Sequence, residues 1–86
     1  MSTVIDAARP SELTDLGYTV ADAADQWLDE HPGFHAPSRI ARGTGFATHE
    51  TRAVLEWMAR RSLAVTAGNG NWTRYGSWRR HRKHSL

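Results

Sequence analysis

The 86-residue chain contains no cysteine, which excludes disulfides, thiol nucleophiles and cysteine-based metal sites at once and suits a reducing compartment. No apolar run approaches the roughly 20 residues needed to cross a bilayer as a helix. No basic segment followed by an apolar one opens the chain, so no secretory signal is expected. The expected setting is therefore cytoplasmic, without a membrane partner. Glycine-rich phosphate loops, nucleophile elbows and paired acids of a catalytic kind are missing as well. Enzymatic activity, a cofactor and a small-molecule ligand are accordingly not expected. Five histidines are the remaining candidates for metal ligation. His31 and His35 have Pro32-Gly33 between them, which denies them a shared helix face, and His81 and His84 lie in a basic tail. No carboxylate cluster accompanies either pair, so no metal site is expected. Internal repeats are absent too.

What is present is a strong polarity of charge. Residues 1–31 carry seven acids against Arg9, a net −6, whereas residues 32–86 carry ten basic residues against Glu50 and Glu56, a net +8. The overall +2 conceals this split. One side of the molecule should attract polyanions and the other repel them. A chain of this length makes one small domain with a modest core, and four tryptophans supply bulk to it.

The chain divides into an N-terminal arm over residues 1–17, a folded domain over 18–78 and a basic tail over 79–86. The arm contains a proline and no periodicity, and reads as loose. Within it, residues 11–17 could form one helical turn capped by Ser11 and stopped by Gly17. Thr19 is the expected N-cap of the first firm helix, with Asp22 three residues on. Val20, Ala23, Ala24, Trp27 and Leu28 form its apolar stripe, and Asp22, Asp25, Asp29 and Glu30 face water. His31-Pro32-Gly33 ends that helix, and Phe34-His35 forms an extended link. Pro37 then sits in the first turn of a second helix, where its missing N–H goes unused. Ile40 and Ala41 give this helix an apolar face, and Gly45 supplies the positive φ of a tight turn. After the apolar Phe46, a third helix opens at Ala47 or Thr48. It carries Thr51, Val54, Leu55 and Met58 at helical spacing and runs to about Ser62. Two β-prone segments, residues 63–67 and 72–75, flank Gly68-Asn69-Gly70-Asn71, a strong hairpin signal. Alternation along the second segment separates Arg74 and Trp78 from Thr73 and Tyr75 without fixing which set is buried.

This order predicts a mainly α fold with a small β-hairpin wing. The segment Pro37-Ser38-Arg39-Ile40-Ala41-Arg42-Gly43-Thr44-Gly45-Phe46 resembles the second helix and turn of bacterial and phage winged helix-turn-helix regulators. In that family an Ile-Ala pair and a glycine followed by an apolar residue recur at this spacing. Thr51, Val54, Leu55 and Met58 match its recognition-helix core positions, and Arg61-Ser62-Leu63-Ala64-Val65 matches the exit into the first wing strand. Two departures stand out. Ala47 replaces the family's Ser or Thr cap, so that Thr48 could cap instead, and Thr51 replaces its Val or Ile.

The resemblance implies binding of double-stranded DNA, with the third helix in the major groove. Thr48, His49, Arg52 and Glu56 would then meet base edges, Arg52 best of all because a guanidinium bridges guanine O6 and N7. Arg39 and Arg42 would contact the backbone and hold register. Asn69, Asn71 and Arg74 would carry the wing to a neighbouring minor groove or phosphate. Arg79, Arg80, Arg82 and Lys83 would add a grip that salt weakens. A transcriptional regulator or phage-type accessory factor is the implied role. Simpler readings stand beside these. Arg52 and Glu56 are spaced for an ion pair on a solvated helix face, and Arg60 and Arg61 suit a helix C-terminus anyway. The alternative function is a winged-helix module that binds a partner protein through Trp57, Trp78 and the acidic first helix. A homodimer is compatible with a module that contacts few base pairs; residues 13–16 or Trp57 could mediate it.

Overall fold

Thr14 starts the first helix. Its hydroxyl oxygen accepts the Gly17 N–H at 3.1 Å, satisfying one of the donors that a helix N-terminus leaves open. Helix α1 then runs unbroken over Asp15–Glu30. The computed structural model, which describes residues 3–79, thus joins two segments that the sequence reading separates. Gly17, expected as a stop, lies inside α1 and is buried. It is required there by close approach: a methyl group at this position would overlap the Val4 carbonyl oxygen. Thr19, expected as the cap, donates its hydroxyl to the Asp15 carbonyl one turn back at 3.1 Å. The boundary drawn between residues 17 and 18 therefore falls within a helix.

The arm is not loose. The Asp6 carboxylate accepts the N–H groups of Ala8 at 2.9 Å and Arg9 at 3.3 Å, an Asx turn that reverses the chain. Ile5 then bridges Leu13 in antiparallel fashion, and the Thr14 N–H donates to the Val4 carbonyl at 2.9 Å. This return carries Val4 and Leu13 into the core, at 1% and 4% exposure. Full burial of a valine side chain is worth about 1.5–3 kcal/mol, enough to hold so short a segment down.

Val20, Ala24 and Leu28 form the buried face of α1. At its end the His31 ring stacks on Trp27 with centroids 3.9 Å apart, and His31 Nδ1 lies 2.7 Å from the Trp27 carbonyl oxygen. His35 Nε2 faces the His31 carbonyl oxygen at 3.1 Å. Both rings thus close the C-terminal end of the helix. Helix α2, Pro37–Thr44, has proline in its first turn and buries Ile40 and Ala41. Gly45 follows with φ of 85° and donates its N–H to the Ala41 carbonyl at 2.8 Å, as the turn requires. Helix α3 spans Thr48–Arg60 and buries Thr51, Val54, Leu55, Trp57 and Met58. Its N-cap is Ala47, with no side-chain bond; Thr48 is the first helical residue and does not take over the capping role.

Strands β1, Val65–Ala67, and β2, Arg74–Gly76, pair antiparallel with Val65 opposite Gly76 and Ala67 opposite Arg74. The connection is longer than an Asn-Gly turn, because Gly70–Trp72 forms a short 3-10 turn within it. His35 and Tyr75 exchange both backbone hydrogen bonds at 2.8 Å, so the link before α2 adds one residue of pairing to the outer edge of β2. Tyr75 is buried and Arg74 exposed, which settles the faces of the second strand. The result is a mainly helical assembly of three mutually packed helices and a two-stranded antiparallel hairpin. Among the described residues, no helix is long and apolar enough to cross a membrane.

Candidate nucleic-acid interface

The surface of α3 is divided by its neighbours. At about 100° per residue, Glu50, Val54, Trp57 and Arg61 share one stripe, and the folded arm lies along it. Thr3 donates its hydroxyl to the Glu50 carboxylate. Trp57 Nε1 donates to the Ser11 carbonyl at 3.0 Å, and Arg61 donates to the same oxygen while its guanidinium lies 4.7 Å from the centroid of the Trp57 ring. Tyr18 of α1 meets Trp57 edge-on at 6.0 Å. The side of α3 opposite the arm carries Thr48, His49, Arg52, Glu56 and Arg60, all exposed.

The arm therefore does two things for this helix. It covers the off-stripe tryptophan, and it engages Glu50, a carboxylate that would oppose a polyanion, on the far side from Arg52. Arg52 and Glu56 face water without an ion pair between them among the described residues. The spacing that suggested a pair is met, yet both side chains stand apart at the mouth of a cleft.

That cleft, about 480 Å³ and open to solvent, separates α3 from the hairpin. Arg52 and Glu56 line one wall, Gly70, Asn71 and Thr73 line the other, and Pro37 and Tyr75 contribute to it as well. Burial raises the Tyr75 hydroxyl above its ordinary value of 10.0; the Glu56 carboxylate adds to this, whereas Arg52 and Arg60 oppose it. Arg52, Glu56 and Tyr75 thus act on one another electrostatically within the cleft between α3 and the hairpin. Arg39 and Arg42 on α2, together with Asn69 and Arg74 on the hairpin, are exposed outside its lining.

The structure decides several of the alternatives left by the sequence. Arg79, grouped with the basic tail, pairs with Asp25 of α1 at 2.8 Å and lies 5.3 Å over the Trp78 ring. Its charge is turned to the acidic helix. Trp57 is 7% exposed, so it is a packing residue and offers no surface to a partner or a second copy. Leu13 is withdrawn in the same way, leaving Leu16 exposed from the segment considered for dimerisation. Arg80, Arg82 and Lys83 lie outside the described residues. Two residues outside the predicted contact set join this surface: Tyr75, which forms part of the cleft, and Trp72, 74% exposed. Position 72, counted in the second β-prone segment, lies instead in the 3-10 turn between the strands, and Gly68 and Gly70 just before it were the available signal that the loop extends that far.

No family model, no curated protein and no solved structure matches this chain. The geometry of the α3 face and its cleft is therefore the basis for any functional reading.

Proposed function

We propose that this protein binds double-stranded DNA as a winged helix-turn-helix, with α3 as the helix that enters the major groove. The observation that carries this reading is the sorting of charge about α3. Its free face presents Thr48, His49, Arg52 and Glu56, while Glu50 is engaged by the arm behind it. A base-reading set needs donors and acceptors that are exposed yet held on a rigid element, and this face meets both conditions. Arg39, Arg42 and Arg74 stand exposed on the flanking elements, as backbone contacts require. Asn69 and Asn71 place amides on the hairpin loop. The five acids of α1, Asp15, Asp22, Asp25, Asp29 and Glu30, belong to a different helix, and one of them, Asp25, is matched by Arg79.

In this reading Arg52 is the principal base contact and Arg39 and Arg42 fix register. Glu56 accepts from a cytosine amino group. The biological role that fits is a transcriptional regulator or phage-type accessory factor, without catalysis. The partner-protein alternative loses its best anchor with the burial of Trp57. The testing experiment is selection of bound duplexes from a random pool. An enriched motif whose preference at one position relaxes in Arg52→Ala, but persists in Arg39→Ala with weaker binding throughout, supports the proposal. Recovery of no motif and no retained duplex rejects it.

A further inference from the structure

Among the described residues, Trp72 is the most exposed large apolar side chain, at 74%, and the loop that carries it is built rather than slack. The Trp72 N–H donates to the Asn69 carbonyl at 3.0 Å and the Thr73 N–H to the Gly70 carbonyl at 3.3 Å. The Thr73 hydroxyl donates to that same Gly70 oxygen at 2.9 Å. Gly68, at φ of 79°, lets the loop close so tightly that a methyl group there would overlap the Trp72 carbonyl. Four local constraints therefore fix the backbone that carries the exposed indole. Its immediate neighbours Asn71 and Thr73 both line the polar cleft opposite Arg52, and Arg74 is exposed one step further on. An indole flanked by amide, hydroxyl and guanidinium groups has the chemistry of a surface for bases next to a sugar-phosphate backbone.

We infer that Trp72 is an aromatic wedge that inserts from the hairpin into the minor groove beside the α3 site, packing against the faces of a base step while the cleft straddles one sugar-phosphate strand. This rests on the proposed duplex binding and adds to it a residue, a mode of contact and a consequence. Apolar wedges in the minor groove unstack a step and bend the duplex, so the bound DNA should be kinked at one end of the site.

The side chain lies outside the core, and Trp72→Ala should therefore unfold at the same temperature as the natural chain. Duplex affinity should fall roughly ten- to a hundredfold, the loss expected for one aromatic stack. The slope of log affinity against log salt should not change, because no cation is removed. Trp72→Phe should recover most of the binding. Acrylamide quenching supplies a direct readout: the solvated Trp72 is quenched in the free protein and protected by bound duplex, a protection missing in Trp72→Ala. A fluorescence-transfer pair at the duplex ends should report a bend with the natural chain and a straighter duplex with Trp72→Ala. If the natural chain binds duplex and Trp72→Ala binds as tightly, the wedge is wrong and the duplex reading survives. An altered salt slope, a lowered melting temperature, or protection by single-stranded DNA alone would also overturn the wedge. Failure of the natural chain to bind any duplex removes both.

Discussion

Thr51 offers the sharpest test of the core built around α3. It is fully buried, at 0% exposure, and its hydroxyl oxygen has no hydrogen-bond partner among the described residues. Other threonines of the chain behave differently. Thr44 donates to the Ile40 carbonyl at 2.9 Å and Thr19 to that of Asp15 at 3.1 Å, the usual resolution for a helical hydroxyl. Burying a hydroxyl without a partner costs about 1–3 kcal/mol in proteins. Thr51→Val keeps the branched shape, has nearly the same helix propensity and removes that penalty. A gain of about 1–2 kcal/mol is expected. In a domain of this size each kcal/mol moves the melting temperature by roughly 4–8 °C. The assay is thermal unfolding followed by circular dichroism, together with urea titration to confirm that the cooperativity is unchanged. A melting temperature that stays put or falls would refute the reasoning, since it would mean that the hydroxyl is satisfied, for instance by the Ala47 carbonyl one turn back.

Other consequences follow from the same packing. Ser77 is also buried, with no hydroxyl partner among the described residues, so Ser77→Ala should be neutral to stabilising by up to about 1 kcal/mol in the same melts. Gly17→Ala should destabilise by about 1–2 kcal/mol in urea, because displacement of the Val4 segment outweighs the roughly 1 kcal/mol that alanine gains over glycine in a helix; a rise in stability would show that the arm is not docked. Alkaline pH should destabilise the protein through Tyr75. Its folded value lies above the unfolded one near 10.0, so the associated stability is complete below pH of about 10 and is lost as pH rises through the folded value. Tyr75→Phe should flatten that alkaline limb, as measured by denaturant midpoints across the range.

The segment from Pro37 to Met58 was legible in the sequence because its signals are local. A proline in a first turn, a glycine at positive φ and an apolar spacing of three and four residues each act within a few residues of chain. The free face of α3 followed from the same periodicity. The arm was not legible in that way, although Asp6 between Val4-Ile5 and Leu13 is a turn former between apolar anchors. Its pairing depends on a carbonyl from Val4 meeting Gly17, a contact across the fold that makes a glycine read as a stop when it is a point of close approach. The cover on Trp57 was hidden for the same reason, because the segment that packs over it belongs to the arm. Arg79 belongs to this class too: a tail of arginines reads as one basic unit, whereas the acidic α1 claims the first of them.

The most direct measurement is the affinity of the full chain for duplex DNA across a series of salt concentrations. Arg39, Arg42, Arg52 and Arg74 stand exposed on and around the α3 face, and each phosphate neutralised contributes about −0.9 to the slope of log affinity against log salt. The account expects a slope of about −3 or steeper, reduced by about one in Arg39→Ala. A shallow slope that Arg39→Ala and Arg52→Ala leave untouched would contradict it.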